Sequence, residues 1–91
     1  MAIVIITAEV EDPVKWEEGF RTHGDLFRSQ TVTRIDFGIG EDNNVAVCFE
    51  AENLETYMNG LDSPATVEAM EFDGVKRETV KIFVLDQIFD P

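Results

Sequence analysis

His23 is the sole histidine of the chain, and imidazole is the side chain that exchanges a proton near neutral pH. It belongs to the series Trp16, Phe20, His23, Phe27, whose spacings of four, three and four place all of them on one stripe of a helix. An imidazole on an aromatic stripe could transfer a proton to or from an enolisable aromatic or polyketide-like compound. The plainer reading is a helix-end histidine bonded to a backbone carbonyl or to water. Trp16, Phe20 and Phe27, together with Tyr57, could shape an apolar substrate pocket. Phe37, Phe49 and Phe83 could join them, although in a small chain such side chains are needed first for the core. Tyr57 is the only phenol. It could orient a substrate oxygen, or sit at the core's edge with its hydroxyl in water.

The remaining chemistry-bearing residues carry less. Arg34 and Asp36 share one face of a predicted strand, and Glu50 lies on the equivalent face of the next. They could bind a polar substrate, but the polar rim of a subunit interface is the simpler role. Cys48, the only cysteine, lacks a nucleophile motif and reads as a small buried hydrophobe. One His and one Cys cannot make a zinc site, and Glu41-Asp42-Asn43-Asn44 lacks calcium-loop spacing. No phosphate-binding glycine loop or GxSxG elbow is present, so neither a metal nor a cofactor is expected.

Several elements must position these residues. Ala2–Val10 is a β-branched, apolar strand, with Ile3 and Ile5 on one face and Val4 and Ile6 on the other. Both faces need cover, and one layer of helices covers only one. Asp12-Pro13 caps and opens a first helix that carries the aromatic stripe, with Gly24 as its expected end. Thr31–Ile39 reads as a strand with Ile35, Phe37 and Ile39 on one face and Val32, Arg34 and Asp36 on the other. A turn at residues 40–44 joins it to the strand Val45–Ala51. Asn53 caps a second helix, and Ser63-Pro64 opens a short third one that Asp73-Gly74 ends. Thr79–Phe89 is the last strand, with Val80, Ile82 and Val84 alternating with Lys81, Phe83 and Leu85.

The order is βαββαβ, with the second helical leg in two pieces. It predicts an α+β, ferredoxin-like sandwich: a four-stranded antiparallel sheet with helices on one face, in a single domain over residues 1–91. The chain has 19 acidic and 7 basic residues, a net charge of −12. That excess repels phosphate backbones and anionic lipid, so neither nucleic acid nor membrane is an expected partner. The opening apolar run is short, lacks a basic leading region and runs into Glu9 and Glu11, so it reads as a strand rather than a signal peptide. A lone cysteine predicts a reducing, cytoplasmic setting.

Trp16-x3-Phe20-x2-His23 after Asp12-Pro13, the segment from Asp42 to Glu50, then Ser63-Pro64, Glu68-Ala69-Met70 and Gly74-Val75 together span nearly the whole chain. In this order and spacing they resemble the small stand-alone bacterial members of the dimeric α+β barrel superfamily, which include antibiotic-biosynthesis-monooxygenase and cyclase-like proteins. The resemblance implies a homodimer whose two sheets pack into a barrel, with a cavity between sheet and helices in each subunit. It implies a small hydrophobic or aromatic ligand and a cofactor-independent monooxygenase, cyclase or isomerase. A non-catalytic ligand-binding or structural homodimer module is the alternative. Haem-degrading members place an Asn, a Trp and a His on particular elements. The first strand here carries no Asn, and that activity is not carried over. Fold does not fix function within such a group.

Overall fold

Alternation of inward and outward side chains builds the first strand, β1 (Ala2–Val10), in the computed structural model, which describes residues 1–91. Val4, Ile6, Ala8 and Val10 are buried, while Ile3, Ile5 and Thr7 are only half-buried. Asp12 then caps α1 (Pro13–Phe20): its Oδ1 accepts from the Val14 and Lys15 amides at 3.0 and 3.3 Å. Pro13, which has no amide hydrogen to satisfy, fills the first turn.

The aromatic stripe is not one helix. The Thr22 hydroxyl donates to the Gly19 carbonyl at 2.6 Å and competes with the next helical bond. Helical geometry lapses after Phe20 and resumes in α2 (Gly24–Ser29), with His23 as its N-cap residue. Gly24 therefore starts a helix rather than ending one. Thr31 follows with φ of 66°, and its hydroxyl accepts from the Asn53 amide at 3.1 Å.

Strand β2 (Val32–Ile39) and strand β3 (Asn44–Ala51) form an antiparallel hairpin. Asp42 and Asn43, residue types that tolerate left-handed backbone, take φ of 55° and 60° at its turn. A register shift between Val32 and Arg34 returns Val32 to the helix side, opposite Ala51, instead of sharing a face with Arg34 and Asp36. Asn53 caps α3 (Leu54–Leu61) through a 2.9 Å bond from the Thr56 amide, and Ser63 caps α4 (Pro64–Phe72). Gly74, at φ of 74°, turns the chain into β4 (Val75–Val84). This strand begins and ends earlier than its hydrophobic pattern predicts. Arg77–Val80 stand opposite Ala8 alone, and the Thr79 hydroxyl accepts the Glu9 amide at 2.8 Å in place of a ladder bond.

The four strands are ordered β2-β3-β1-β4, all antiparallel, with every helix on one face. This is the expected ferredoxin-like α+β fold, with each helical leg in two pieces. The core of 12 residues lies between sheet and helices and includes Val4, Val10, Trp16, Phe49 and Tyr57. The opposite sheet face is bare. The strand pairings place Ile3, Ile5, Cys48, Arg34, Asp36, Glu50 and Phe83 there. Phe83 is 51% exposed, so it belongs to neither core nor pocket.

Candidate functional site

A cavity of about 80 Å³ lies between sheet and helices, lined by 19 residues of which 15 are hydrophobic. Trp16 and Phe20 come from α1, His23 from the junction, Phe27 from α2 and Tyr57 from α3. The five residues singled out by type and spacing thus meet around one space. Val45, Val47 and Phe49 of β3 form its floor with Ile6 and Ala8 of β1. Phe37 lies outside the cavity, edge-on to Trp16 at 5.6 Å and beneath the Arg21 guanidinium.

The aromatic rings are continuous. Trp16 stacks on Phe20 at 4.9 Å, Phe20 meets Phe27 at 5.1 Å, Phe27 meets Phe49 at 5.6 Å and Phe49 meets Tyr57 at 5.4 Å. Each such pair adds about 0.5–1.5 kcal/mol beyond burial. Tyr57 is fully buried rather than at the core's edge, and burial pushes its phenol well up from its ordinary value.

The His23 ring meets a carboxylate rather than a backbone carbonyl. Its Nε2 lies 3.0 Å from Oδ2 of Asp73, the residue that closes α4. The side chains are 18% and 4% exposed. An ionised Asp73 can only accept, so Nε2 carries the hydrogen, and in the neutral ring Nδ1 holds the free lone pair. Burial holds the Asp73 carboxyl above its ordinary value, while the charge and hydrogen bond of His23 pull the other way. Asp73 Oδ1 is the one buried side-chain oxygen or nitrogen with no hydrogen-bond partner. Leaving it so costs about 1–3 kcal/mol.

Gly19 makes the arrangement sterically possible. A Cβ at this position would stand 2.0 Å from Asp73 Oδ1, closer than any real contact. The unusual helix glycine therefore marks the seat of a carboxylate contributed by Asp73 at the far end of α4. A second polar group, also unanticipated, lies across the cavity. Gln30 Nε2 donates to Thr66 Oγ1 at 2.7 Å, and Thr66 Oγ1 donates to the Gly60 carbonyl at 2.7 Å. Both residues are buried cavity-lining residues.

Arg34, Asp36, Glu50 and Cys48 are on the bare sheet face, away from this cavity. Arg34 donates to Asp36 at 3.1 Å and approaches Glu50 at 4.0 Å. The Asp36 hydrogen bond, then the charges of Asp36 and Glu50, hold the guanidinium pKa above its ordinary value. No three His, Cys, Asp or Glu side chains converge in the way a metal ion requires. No helix is long and apolar enough to cross a membrane.

No family model and no curated protein matches this sequence. Solved structures do match its fold. A candidate antibiotic biosynthesis monooxygenase from Bordetella bronchiseptica superposes with a TM-score of 0.77 at 12% identity, covering 97% of each chain. SnoaB, a cofactor-independent oxygenase from Streptomyces nogalater, gives 0.73 at 14% identity over 98% of this chain and 94% of its own. A protein from Arabidopsis thaliana gives 0.71 at 14% identity over 100% and 99%. At these identities the likeness is one of fold.

Proposed function

We propose that this chain is a cofactor-independent enzyme of the antibiotic-biosynthesis-monooxygenase-like group that moves a proton on a small, uncharged aromatic or polyketide-like compound. The observation that carries this reading is the His23–Asp73 pair, its carboxylate buried, set into a largely apolar cavity. A buried carboxylate with one unpartnered oxygen is costly to keep, and such groups concentrate where protons are handled. His23 would take a proton from a carbon beside a carbonyl. The C–H electron pair moves into the carbonyl and leaves an enolate, and the imidazolium later returns the proton. An oxygenase, a cyclase and an isomerase can all begin this way. Asp73 holds the ring by Nε2 and balances its positive charge, as the acid partner of a general base does. Trp16, Phe20, Phe27 and Tyr57 would pack the substrate ring, and the Gln30–Thr66 pair would meet a polar substituent. The lining includes no Lys or Arg, which favours an uncharged substrate.

Two further parts of the reading concern the whole chain. It acts as one domain, in the cytoplasm, and as a homodimer whose second copy covers the bare sheet face. The half-buried Ile3 and Ile5 beside exposed Phe83 support that last point.

Deuterium exchange into the methyl group of acetophenone, followed by NMR, tests the proton step. Catalysed exchange is expected. His23→Ala should lower it about 10²–10⁴-fold, the usual share of a general base, without changing the circular dichroism spectrum. Unchanged exchange in the variant would remove His23 from the mechanism. The cavity's small volume favours the second reading, a structural homodimer module. It is about half that of an engineered apolar cavity of about 150 Å³ that takes up benzene.

A further inference from the structure

The cavity that holds His23 shares a wall with a second concavity. This open cleft of about 510 Å³ lies between α2 and β2, bounded by Gly24, Phe27 and Arg28 on one side and residues 32–35 on the other. Phe27 is the one residue that lines both spaces. On the cavity side its ring lies edge-on to His23 at 6.4 Å. Helix α2 has six residues, none of them buried. It is bounded by the irregular turn at Arg21–His23 on one side and left-handed Thr31 on the other.

At about 80 Å³ the cavity is about half the size of an apolar cavity of about 150 Å³ that takes up benzene, so a yielding wall would ease entry of a ring. The rings of Trp16, Phe20 and Phe49 back onto one another and onto the core, so they have nowhere to go. Phe27 has open space directly behind it.

We infer that Phe27 is the specificity-determining residue of the site: its ring swings into the α2–β2 cleft to admit a ligand, and its bulk limits that ligand to one ring. This rests on the cavity being a ligand site, as proposed above. The indole N–H of Trp16, the only tryptophan, gives one NMR signal on the cavity wall and serves as reporter. Phenol and 2-naphthol are the probes. The unmodified protein should shift this signal with phenol and not with 2-naphthol. Phe27→Ala should bind 2-naphthol at least about tenfold more tightly, the scale of a pocket discriminating by size. Phe27→Leu keeps an apolar filler should the alanine variant fail to fold, and it should show a smaller gain of the same sign. Exposed Phe72, whose ring also stands 6.4 Å from His23, is the competing doorway. A gain in Phe72→Ala with none in Phe27→Leu would overturn the inference. So would phenol binding with 2-naphthol excluded equally from every variant. Failure of both probes to bind any of these proteins would overturn the cavity as a ligand site, and this inference with it.

Discussion

Asp73 is the residue on which the site's energetics turn. Its carboxyl is held above the ordinary 3.8 in the folded protein because burial penalises the charged form more than His23 relieves it. The folded state therefore binds this proton more tightly than the unfolded chain does. The resulting stability is fully present below the ordinary value and is lost as pH rises through the raised one. Asp73→Asn removes that titration and leaves the other carboxyls in place. As pH rises from below the ordinary 3.8, the melting temperature of the unmodified protein should fall relative to that of Asp73→Asn. Parallel profiles would mean that burial places no such penalty on this carboxyl. Gly19 belongs to the same argument, since any side chain at this position would drive Asp73 out of its seat.

The caps decide where the helices start. Asp12 satisfies two amides of α1, the helix that carries Trp16 and Phe20. Asp12→Ala should cost about 1 kcal/mol. In a chain of this length that lowers the melting temperature by about 4–8 °C, measurable by calorimetry. Asp12, Asn53 and Ser63 were all legible as caps because each precedes a helical apolar pattern. The break at residues 21–23 was not. The spacing of Trp16, Phe20, His23 and Phe27 continues across it, so one stripe survives although the helix does not. The start of β4 was hidden by Lys76-Arg77-Glu78, a charged run without strand alternation. Its end was hidden too, because Ile88 and Phe89 prolong the apolar pattern but find no strand to pair with. Trp16, Phe20, His23 and Phe27 could be named from one local pattern, whereas Asp73, Gln30 and Thr66 could not. Asp73 looked like the stop signal of a helix, and only the fold brings it back to His23.

At the scale of the molecule, the sheet has one face under the helices and one bare face. Phe83 stands on the bare face, opposite Ile5 of β1. Placing a charge there should oppose any second copy. Phe83→Glu is expected to shift sedimentation from a dimer toward the 10.3 kDa chain and to lower the melting temperature, since subunit binding stabilises the folded state. An unmodified protein that already sediments as the single chain would remove the dimer from the reading.

An open four-stranded sheet also ends in two unpaired strand margins, each able to recruit a further strand and seed cross-β aggregation. Here β4 interrupts its own margin. Its bulge at Arg77–Val80 breaks the regular row of backbone donors and acceptors. Charged Arg77, Glu78 and Lys81 stand exposed along it. At the other margin, β2 carries its own shift near Thr33, beside exposed Arg34 and Asp36. A foreign strand meets kinked backbone and charge on either side. The same bulge that accompanies Val80 at the cavity therefore also denies a further strand a regular edge to pair with.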